Sequence, residues 1–462
     1  SPTAAQVIPD NSLGNTPSVV NTQDGQNILI EGGTRNYGNL FHSFQNFNVN
    51  NGQQVFFANP EGVSNIITRV TGNNSSNING VLGVSGLANL FLINPQGIIF
   101  GADSKLDVKG SFIASTAESL NFSDGSFFSA VQPKSIPLLQ VNVPIGLQYG
   151  ANPAPIQVQQ ANLQVKPGKT LGLIGGNVSL DNATLTAPGG RVQLGGLLAS
   201  GTLSLVGLQA FIPEGVKRGD VSLINQSSVS VIAGGSGDII IDANNLSMNN
   251  SNFQAGIAAN FGRKDAVAGD IYINTTENTT LEKQSNITNI LEANSLGSGG
   301  KVTIKTNNFF IKDARIFTDT FSSGNAGNLI VQAANKAEII SSPVNFTLGG
   351  EGRKGLFSRV APNATGTGGN ITVNAKEVTL SGFGGIDSST VGLGNGGKVA
   401  IESNNLSIIE GAAVLSNTNN LGNAGEIFIK TSDFIEINNT INDPLFANVP
   451  HPPGGIIADV RR

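Results

Sequence analysis

The chain has 462 residues, of which 39% are hydrophobic and only 12% are charged, and its formal net charge is -5. This weak negative charge excludes the basic footprint that nucleic acid or an anionic membrane surface requires. Cysteine is absent, so disulfides, thiolate metal sites and cysteine nucleophiles are excluded as well. No stretch of 18 apolar residues predicts a membrane span, and we expect no nucleic-acid partner, no stable membrane insertion and no cofactor.

The first residues, SPTAA at 1–5, have neither the charged start nor the apolar core of a signal peptide. We expect them to be the start of an exported chain after signal-peptide removal. Short alternating segments follow, such as NILIE at 27–31 and VFFA at 55–58, and their period of two is typical of β-strands. No amphipathic helix is recognisable, so the predicted fold class is all-β.

Two turns with the sequence Asn-Pro-x-Gly follow apolar runs in the first hundred residues. They are NPEG at 59–62 and NPQG at 94–97. Proline in the second position and glycine in the fourth predict a type I turn, which the asparagine side chain can close from the first position. Turn formation by itself explains both sequences.

In the second half one pattern repeats: a glycine, a short alternating strand, an asparagine-rich corner and a second strand. The repeats begin at Gly237, Gly269, Gly300, Gly327, Gly369, Gly397 and Gly425, which gives a unit of about 28 residues. One interval is longer and predicts an insertion at 341–367. Paired asparagines at the corners, such as Asn307-Asn308, predict turns with a positive φ and hydrogen-bonded ladders between repeats.

Stacking of such repeats determines the predicted architecture. A unit of this length cannot bury its own apolar face, but it can do so against a copy of itself. We therefore predict a right-handed parallel β-helix, a single-stranded solenoid with an amino-terminal cap. The cap is expected because open strand edges invite aggregation, and we assign it to residues before about Asn50. A β-propeller is the runner-up, but its aromatic blade signatures are missing.

Four segments of the first half carry a resemblance to a known family. They are NLFHSFQNFNV at 39–49, VFFANPEGV at 55–63, ANLFLINPQGIIFGADSKLDVKGSFIAST at 88–116 and LTAPGGRVQLGG at 185–196. These segments resemble the haemagglutination-activity, or two-partner-secretion, domain of the filamentous haemagglutinin family, cyanobacterial type. The resemblance implies that residues 1–235 are this domain and that 236–462 are the β-helical repeat shaft.

A transporter partner follows from the resemblance. It implies that a cognate outer-membrane β-barrel transporter recognises the amino-terminal domain in the periplasm and that folding begins as the chain emerges. The family's Asn-Pro-Asn-Gly-Ile motif maps onto Asn94, Pro95, Gln96, Gly97 and Ile98, with glutamine in place of the third residue. These five positions are predicted to serve in transporter recognition or as a structural turn.

A second family motif, Asn-Pro-Asn-Leu, maps onto Asn59 and Pro60, and the chain departs from it at the next two residues. The whole resemblance implies a secreted or surface-exposed exoprotein of a Gram-negative bacterium that acts as an adhesin or structural stalk. A cell-surface glycan or protein would be its further partner. Two alternatives stay open: a carbohydrate-active β-helix with two carboxylates converging in a groove, and the delivery part of a larger cytolysin or contact-dependent toxin.

Candidate catalytic and metal-ligating residues are few. The two histidines, His42 and His451, are far apart in the sequence, so neither a zinc site nor a histidine triad can be assembled from them. The 31 acidic residues scatter over strand ends and corners without a recognisable cluster. The sequence therefore predicts no enzyme, no metal site and no catalytic residue.

Overall fold

The structure is a computed structural model that describes residues 7–22, 24–134, 144–342, 352–439 and 454–459. Within these ranges there is no helix, and so none that is long and apolar enough to span a membrane. The chain divides into two compact units, the first formed by Ser1–Ser222 with Ile241–Asn244 and the second by Leu223–Ile240 with Asn245–Arg462. The predicted all-β class is confirmed.

The described residues form short strands joined by turns. Up to residue 211 the strands are β1 Val7–Pro9, β2 Ser18–Thr22, β3 Asn27–Gly32, β4 Thr34–Asn36, β5 Asn39–Phe47, β6 Gln54–Phe57, β7 Asn65–Val70, β8 Ser76–Ile78, β9 Val81–Val84, β10 Asn89–Ile93, β11 Ile98–Phe100, β12 Lys105–Asp107, β13 Phe112–Ser115, β14 Ser119–Phe122, β15 Phe127–Ser129, β16 Pro144–Tyr149, β17 Ile156–Gln159, β18 Asn162–Gln164, β19 Thr170–Gly175, β20 Val178–Asp181, β21 Thr184–Thr186, β22 Arg191–Gly196, β23 Gly201–Val206 and β24 Gln209–Phe211. The later strands are β25 Val221–Ile224, β26 Ser228–Ser230, β27 Asp238–Asn249, β28 Asn252–Ile257, β29 Gly262–Val267, β30 Ile271–Glu282, β31 Asn286–Leu291, β32 Leu296–Ser298, β33 Val302–Lys312, β34 Arg315–Phe317, β35 Leu329–Ser341, β36 Lys354–Phe357, β37 Ile371–Asn374, β38 Glu377–Gly382, β39 Gly384–Asp387, β40 Val399–Ile409, β41 Ala413–Leu415, β42 Ile427–Asn438 and β43 Gly455–Ile457.

The first unit is a coil in which each turn of the chain, called a rung below, adds one strand to each of three parallel stacks. The longest stack runs β5, β7, β10, β13, β19 and β22, and the other two include β3–β6–β9–β12 and β8–β11–β17–β20. Side chains in register point into the coil as apolar ladders, and one ladder in the longest stack consists of Leu40, Ile66, Leu90, Phe112, Leu171 and Val192. Burial of each such side chain contributes roughly 1.5 to 3 kcal/mol, which is the main stabilisation of the coil.

Antiparallel strands cover the open edge of this coil. Strands β1 and β4 both pair antiparallel with β5, and β2 pairs antiparallel with β3. The partners β5 and β3 continue on their other side into parallel pairs with β7 and β6. The predicted amino-terminal cap is therefore confirmed. Its extent differs from the prediction, because β3 and β5 also precede Asn50 and themselves form the first rung.

A second feature of the first unit was not predicted. Strands β15, β14, β16, β23 and β24 form a five-stranded antiparallel sheet. Its inner face packs on the coil through residues such as Leu120, Phe128, Leu147 and Leu203, which are at most 1% exposed. The sequence predicts a single-stranded solenoid for all of this region, and that prediction is wrong for these strands.

In the second unit the repeats stack in register. Each of the glycines that mark a repeat lies one or two residues before a strand, and the first apolar residue of each strand faces that of the next. The ladder runs through Ile271, Val302, Leu329, Ile371, Val399 and Ile427. A second parallel stack runs β26, β28, β31, β34, β36, β39, β41 and β43. The alternating pattern read from the sequence thus sets which side chains enter the core.

The asparagine corners form ladders, but not positive-φ turns. Asn278 donates from Nδ2 to the side-chain oxygen of Asn245 at 2.9 Å, and Asn308 donates to Asn278 at 3.1 Å. These asparagines lie within long strands, whereas residues with positive φ occur at the following corner, for example Gln284 and Asp313. The predicted ladder is confirmed, and the predicted positive φ at the paired asparagines is wrong.

The predicted insertion at 341–367 lies partly on residues 343–351, which are outside the described residues. Of the rest, Lys354–Phe357 is strand β36, and it pairs in register with β34 and β39. Residues from 354 to 357 are thus part of a regular rung.

Candidate functional site

The turn at 94–97 has the geometry that its sequence predicts. The Gly97 N–H donates to the Asn94 carbonyl oxygen at 3.1 Å, which closes a four-residue turn. The Asn94 side-chain oxygen accepts a hydrogen bond from the Gln96 N–H at 2.9 Å. Gly97 has a φ of 109°, a value that side chains with a Cβ rarely adopt. The backbone of the turn thus favours glycine at its fourth position, and the asparagine side chain closes the turn from its first.

Asn94 also joins neighbouring rungs. Its side chain is fully buried, and Nδ2 donates to the Asn74 carbonyl oxygen and to Ser76 Oγ, both at 3.0 Å. Its backbone N–H donates to the Ser115 carbonyl oxygen at 3.0 Å. Ile98, which follows the turn, is also fully buried. Asn94 and Ile98 therefore act inside the folded unit and are inaccessible to a partner.

The turn that includes Asn59 is shifted by one residue from the predicted one. Its hydrogen bond runs from the Val63 N–H to the Pro60 carbonyl oxygen at 3.2 Å, so proline occupies the first position. Gly62 occupies the third position with a φ of 76°, which is typical of a type II turn. Asn59 braces the turn from outside, because its Nδ2 donates to the Val63 carbonyl oxygen at 3.1 Å. The predicted type I turn is wrong at this motif.

The two motifs lie at different corners of the coil. The first lies between β6 and β7, and the second lies between β10 and β11. Pro60, Glu61 and Gly62 are exposed, whereas Gln96 is the exposed residue of the second turn. The structure therefore does not bring the seven predicted residues into one surface, and it leaves only part of them accessible.

A buried polar cluster that the sequence reading missed ties the cap to the coil. Arg69, on β7, is 1% exposed, and its guanidinium donates to Ser43 Oγ at 2.9 Å and to Ser12 Oγ at 2.8 Å. It also donates to the carbonyl oxygens of Ser129 at 2.8 Å and Lys134 at 3.1 Å. One side chain thus connects the cap, two rungs and the antiparallel sheet.

Asp10 supplies the negative charge of this cluster. Ser43 Oγ donates to its carboxylate at 2.8 Å, and Thr71 Oγ1 and Ser12 donate to it as well. Burial raises the pKa of Asp10, but these hydrogen bonds outweigh burial and hold the pKa below its ordinary value. Burial lowers the pKa of Arg69 to about 10, and the Asp10 charge opposes that shift. Both groups are charged at neutral pH.

The sequence carries one signal for this cluster. Arg69 is the only charged residue of the apolar strand NIITRV, on the face opposite to the inward-pointing Ile66, and a charge in such a strand is costly if it is buried without a partner. Its partners come from positions 10 to 134, and no local pattern connects them. The arginine could have been noticed from the sequence, but its role could not.

A family model for the TPS secretion domain matches residues 5–255, which is more than half of the chain. The chain belongs to this family. It is therefore a two-partner secreted exoprotein, of the kind that Gram-negative bacteria export across the outer membrane through a partner transporter. The family is one of non-enzymatic secretion domains, and the resemblance seen in the sequence is confirmed.

One solved structure supports the fold. The HMW1 secretion domain from Haemophilus influenzae is similar with a TM-score of 0.62 and 18% identity, over 92% of this chain and 100% of its own. A filamentous hemagglutinin secretion domain covers 72% of this chain and 100% of its own, with a TM-score of 0.36 and 14% identity. A search of curated proteins finds no match. With the parallel stacks described above, the HMW1 similarity confirms the predicted parallel β-helix.

Asp319 and Asp387 are two carboxylates of the second unit that lie near each other. Asp319 accepts two hydrogen bonds from the Arg359 guanidinium, at 2.9 and 3.3 Å, and is only 4% exposed. Burial raises the pKa of the nearby Asp387, while Arg359 lowers it. An ion-paired, covered carboxylate is not an accessible acid or base. Among the described residues no group of three metal-ligating side chains is found, and His451 lies outside them.

His42 makes the stability of the secretion domain depend on pH. It is fully buried, its Nδ1 lies 3.0 Å from Ser18 Oγ, and its ring packs 5.2 Å from that of Phe57. Burial lowers its pKa from 6.5 to about 3. Below pH 6.5 the imidazole is therefore protonated in the unfolded chain but stays neutral in the folded chain. The free energy of unfolding falls as the pH falls.

We expect the free energy of unfolding of the first unit to be about 2 kcal/mol lower at pH 5.0 than at pH 7.5 through His42 alone. The measurement is urea unfolding at both pH values. The variant His42→Phe should lack this part of the difference. If the variant keeps the full difference, His42 is not its origin.

Proposed function

We propose that residues 1–235 are the secretion domain that a cognate outer-membrane β-barrel transporter recognises, and that residues 236–462 are a repeat shaft that acts as a stalk or adhesive surface. This division is supported by the different construction of the two units. The cap, the antiparallel sheet and both Asn-Pro turns belong to the first unit, whereas the second unit consists of repeats in register. The chain reaches the cell surface or the medium after removal of a signal peptide.

The exposure of the motif residues suggests how recognition is divided. Among the motif residues, Gln96 and the turn at Pro60 and Glu61 are exposed, so a transporter can touch them on the folded domain. Asn59, Pro95 and Gly97 hold the turns in shape, and Asn94 and Ile98 stabilise the coil. Before folding, all of these residues are accessible, so the same motifs serve both recognition and folding.

The test is an export assay in cells with and without the candidate transporter. We expect export only with the transporter. The variant Gln96→Ala should reduce export without changing the unfolding midpoint, because its side chain is exposed. Gln164→Ala replaces another exposed glutamine of the first unit and is the matched control, with export unchanged. Export without any transporter would contradict the proposal.

Asn94 needs a different readout because its side chain is buried. We expect Asn94→Ala to lower the free energy of unfolding by about 2 to 3 kcal/mol, since the buried Ser76 hydroxyl, the Asn74 carbonyl oxygen and the Gln96 N–H all lose their hydrogen bonds to its side chain. Urea unfolding of the purified chain measures this loss. An unchanged midpoint combined with lost export would mean that Asn94 acts only in recognition. Deletion of 59–98 would not separate the two roles, because it removes core strands β7 and β10.

A further inference from the structure

A groove runs along the outer surface of the second unit. It consists of two adjoining depressions that share Ala333, Ala334 and Asn374. Together they extend from β30 through β33, β35, β37 and β40 to β42, so that six successive rungs line one continuous groove. The groove follows the direction in which the strands stack.

Small side chains make the floor of this groove. Thr275, Thr306, Ala333 and Ala375 are each less than a tenth exposed, and they lie where the strands bend. The pairing register shifts at the same bends, for example between Asn274 and Asn278. A bend filled by small residues leaves a depression in the outer surface. Because the rungs stack, the same depression recurs in each of them.

Lys305 and Lys430 occupy the same register position four rungs apart, and Lys376 lies on the rung midway between them, two residues beyond the matching Asn374. Lys305, Lys376 and Lys430 line it from the second, fourth and sixth rungs, and all three are exposed. Two rungs advance by about 9.6 Å, given a strand spacing of about 4.8 Å. Glu277 and Glu402 also line the groove, so its net charge is +1 in a chain whose net charge is -5.

Two polar atoms of the groove have no hydrogen-bond partner within the described part of the chain. They are the side-chain oxygen of Asn374 and the hydroxyl oxygen of Ser403, and both atoms are buried. The hydroxyls of Thr275 and Thr306, in the earlier rungs, satisfy each other at 2.7 Å. Because these two atoms are buried, a ligand in the groove does not reach them, and the exposed amide of Asn404 and hydroxyl of Ser432 are the groups of the later rungs that can bind sugar hydroxyls.

We propose that this groove binds an extended acidic polysaccharide that runs along the stack of rungs. The lining residues include no aromatic side chain, so stacking on sugar faces is not available and recognition must come from amides, hydroxyls and lysines. A β-linked chain with one carboxylate per disaccharide presents its charges at about the spacing of the three lysines. Each lysine then pairs with one carboxylate. The inference rests on the proposed adhesive role and names its ligand class.

The test is calorimetric titration of the intact, exported chain with a hyaluronan hexasaccharide, which has three carboxylates in a β-linked chain. Cellohexaose is the uncharged probe of equal length. We expect binding of hyaluronan that weakens with salt, and little binding of cellohexaose. Substitution of Lys305, Lys376 and Lys430 by glutamine should weaken hyaluronan binding about tenfold, from three exposed ion pairs.

The matched control changes three exposed lysines that do not line the groove, Lys264, Lys283 and Lys301, to glutamine. It has the same net charge as the groove variant and should bind hyaluronan like the unaltered chain. Equal weakening in both triple variants, or equal binding of the two sugars, would overturn the groove assignment. A chain that is exported through its transporter but binds neither sugar overturns this inference alone, whereas a chain exported without a transporter overturns the proposed function.

Discussion

Replacement of Arg69 by methionine is expected to lower the free energy of unfolding of the secretion domain by about 3 to 5 kcal/mol. Methionine keeps much of the apolar stem but removes every guanidinium donor. The half-buried Asp10 then lacks its positive partner, and the carbonyl oxygens of Ser129 and Lys134 lose theirs. Removal of one partner of a buried charge pair costs more than the pair contributes, because the remaining charge is left uncompensated.

Urea unfolding and hydrogen exchange of the cap measure this effect. We expect amides of β1 and β5 to lose protection in Arg69→Met before those of β19 and β22, because the cluster holds the cap. Arg35→Met is the matched control, since Arg35 is exposed and its loss should change stability by less than about 0.5 kcal/mol. Equal stability of the two variants would show that the cluster does not hold the cap to the coil.

Replacement of Gly327 by alanine is expected to destabilise the repeats of the second unit by about 3 kcal/mol or more. A Cβ at this position would lie 1.6 Å from the Gly300 carbonyl oxygen and 2.6 Å from its carbon. Both atoms belong to the backbone of the rung before, so no side chain can move aside. The two rungs must separate, and their apolar ladders lose contact.

The loss should remain local, because each rung contacts chiefly its neighbours. Hydrogen exchange should show weaker protection in β33 and β35 than in β40, and the urea midpoint should fall. Gly38→Ala is the control in the first unit, where the nearest atom to a new Cβ lies at 3.6 Å. That substitution should be neutral or slightly stabilising. A Gly327→Ala chain as stable as the control would contradict the observed close approach of the rungs.

Strand patterns and the repeats were readable from the sequence because they depend on neighbouring residues. Alternation at Ile271 and Ile273 or at Val302 and Ile304 is a local property, and it indicates which side chains enter the core. The recurring glycine marks the start of each unit. The NPQG turn was readable for the same reason, since the two hydrogen bonds that close it, from the Gly97 N–H to the Asn94 carbonyl oxygen and from the Gln96 N–H to the Asn94 side chain, lie within four residues.

The errors arise where the chemistry depends on distant residues. The NPEG turn shifts by one residue because Asn59 is used elsewhere: its side-chain oxygen accepts a hydrogen bond from the Ala88 N–H, 29 residues on, at 2.9 Å. The five-stranded sheet joins segments from 119 to 211 that lack a distinctive pattern. A pattern within one strand cannot show which other strand completes its hydrogen bonds.

The sequence by itself therefore determined the strand class, the repeat, the stacking and the family, since each is written in short periods and local motifs. Only the tertiary structure decided which motif residues are accessible, because burial depends on which rung covers another. It also decided that Arg69 and Asp10 form one cluster and that Lys305, Lys376 and Lys430 line one groove. Stacking of the rungs makes neighbours of residues that are distant in the chain. The cluster and the groove of this exoprotein arise in this way, and no local pattern in the sequence shows them.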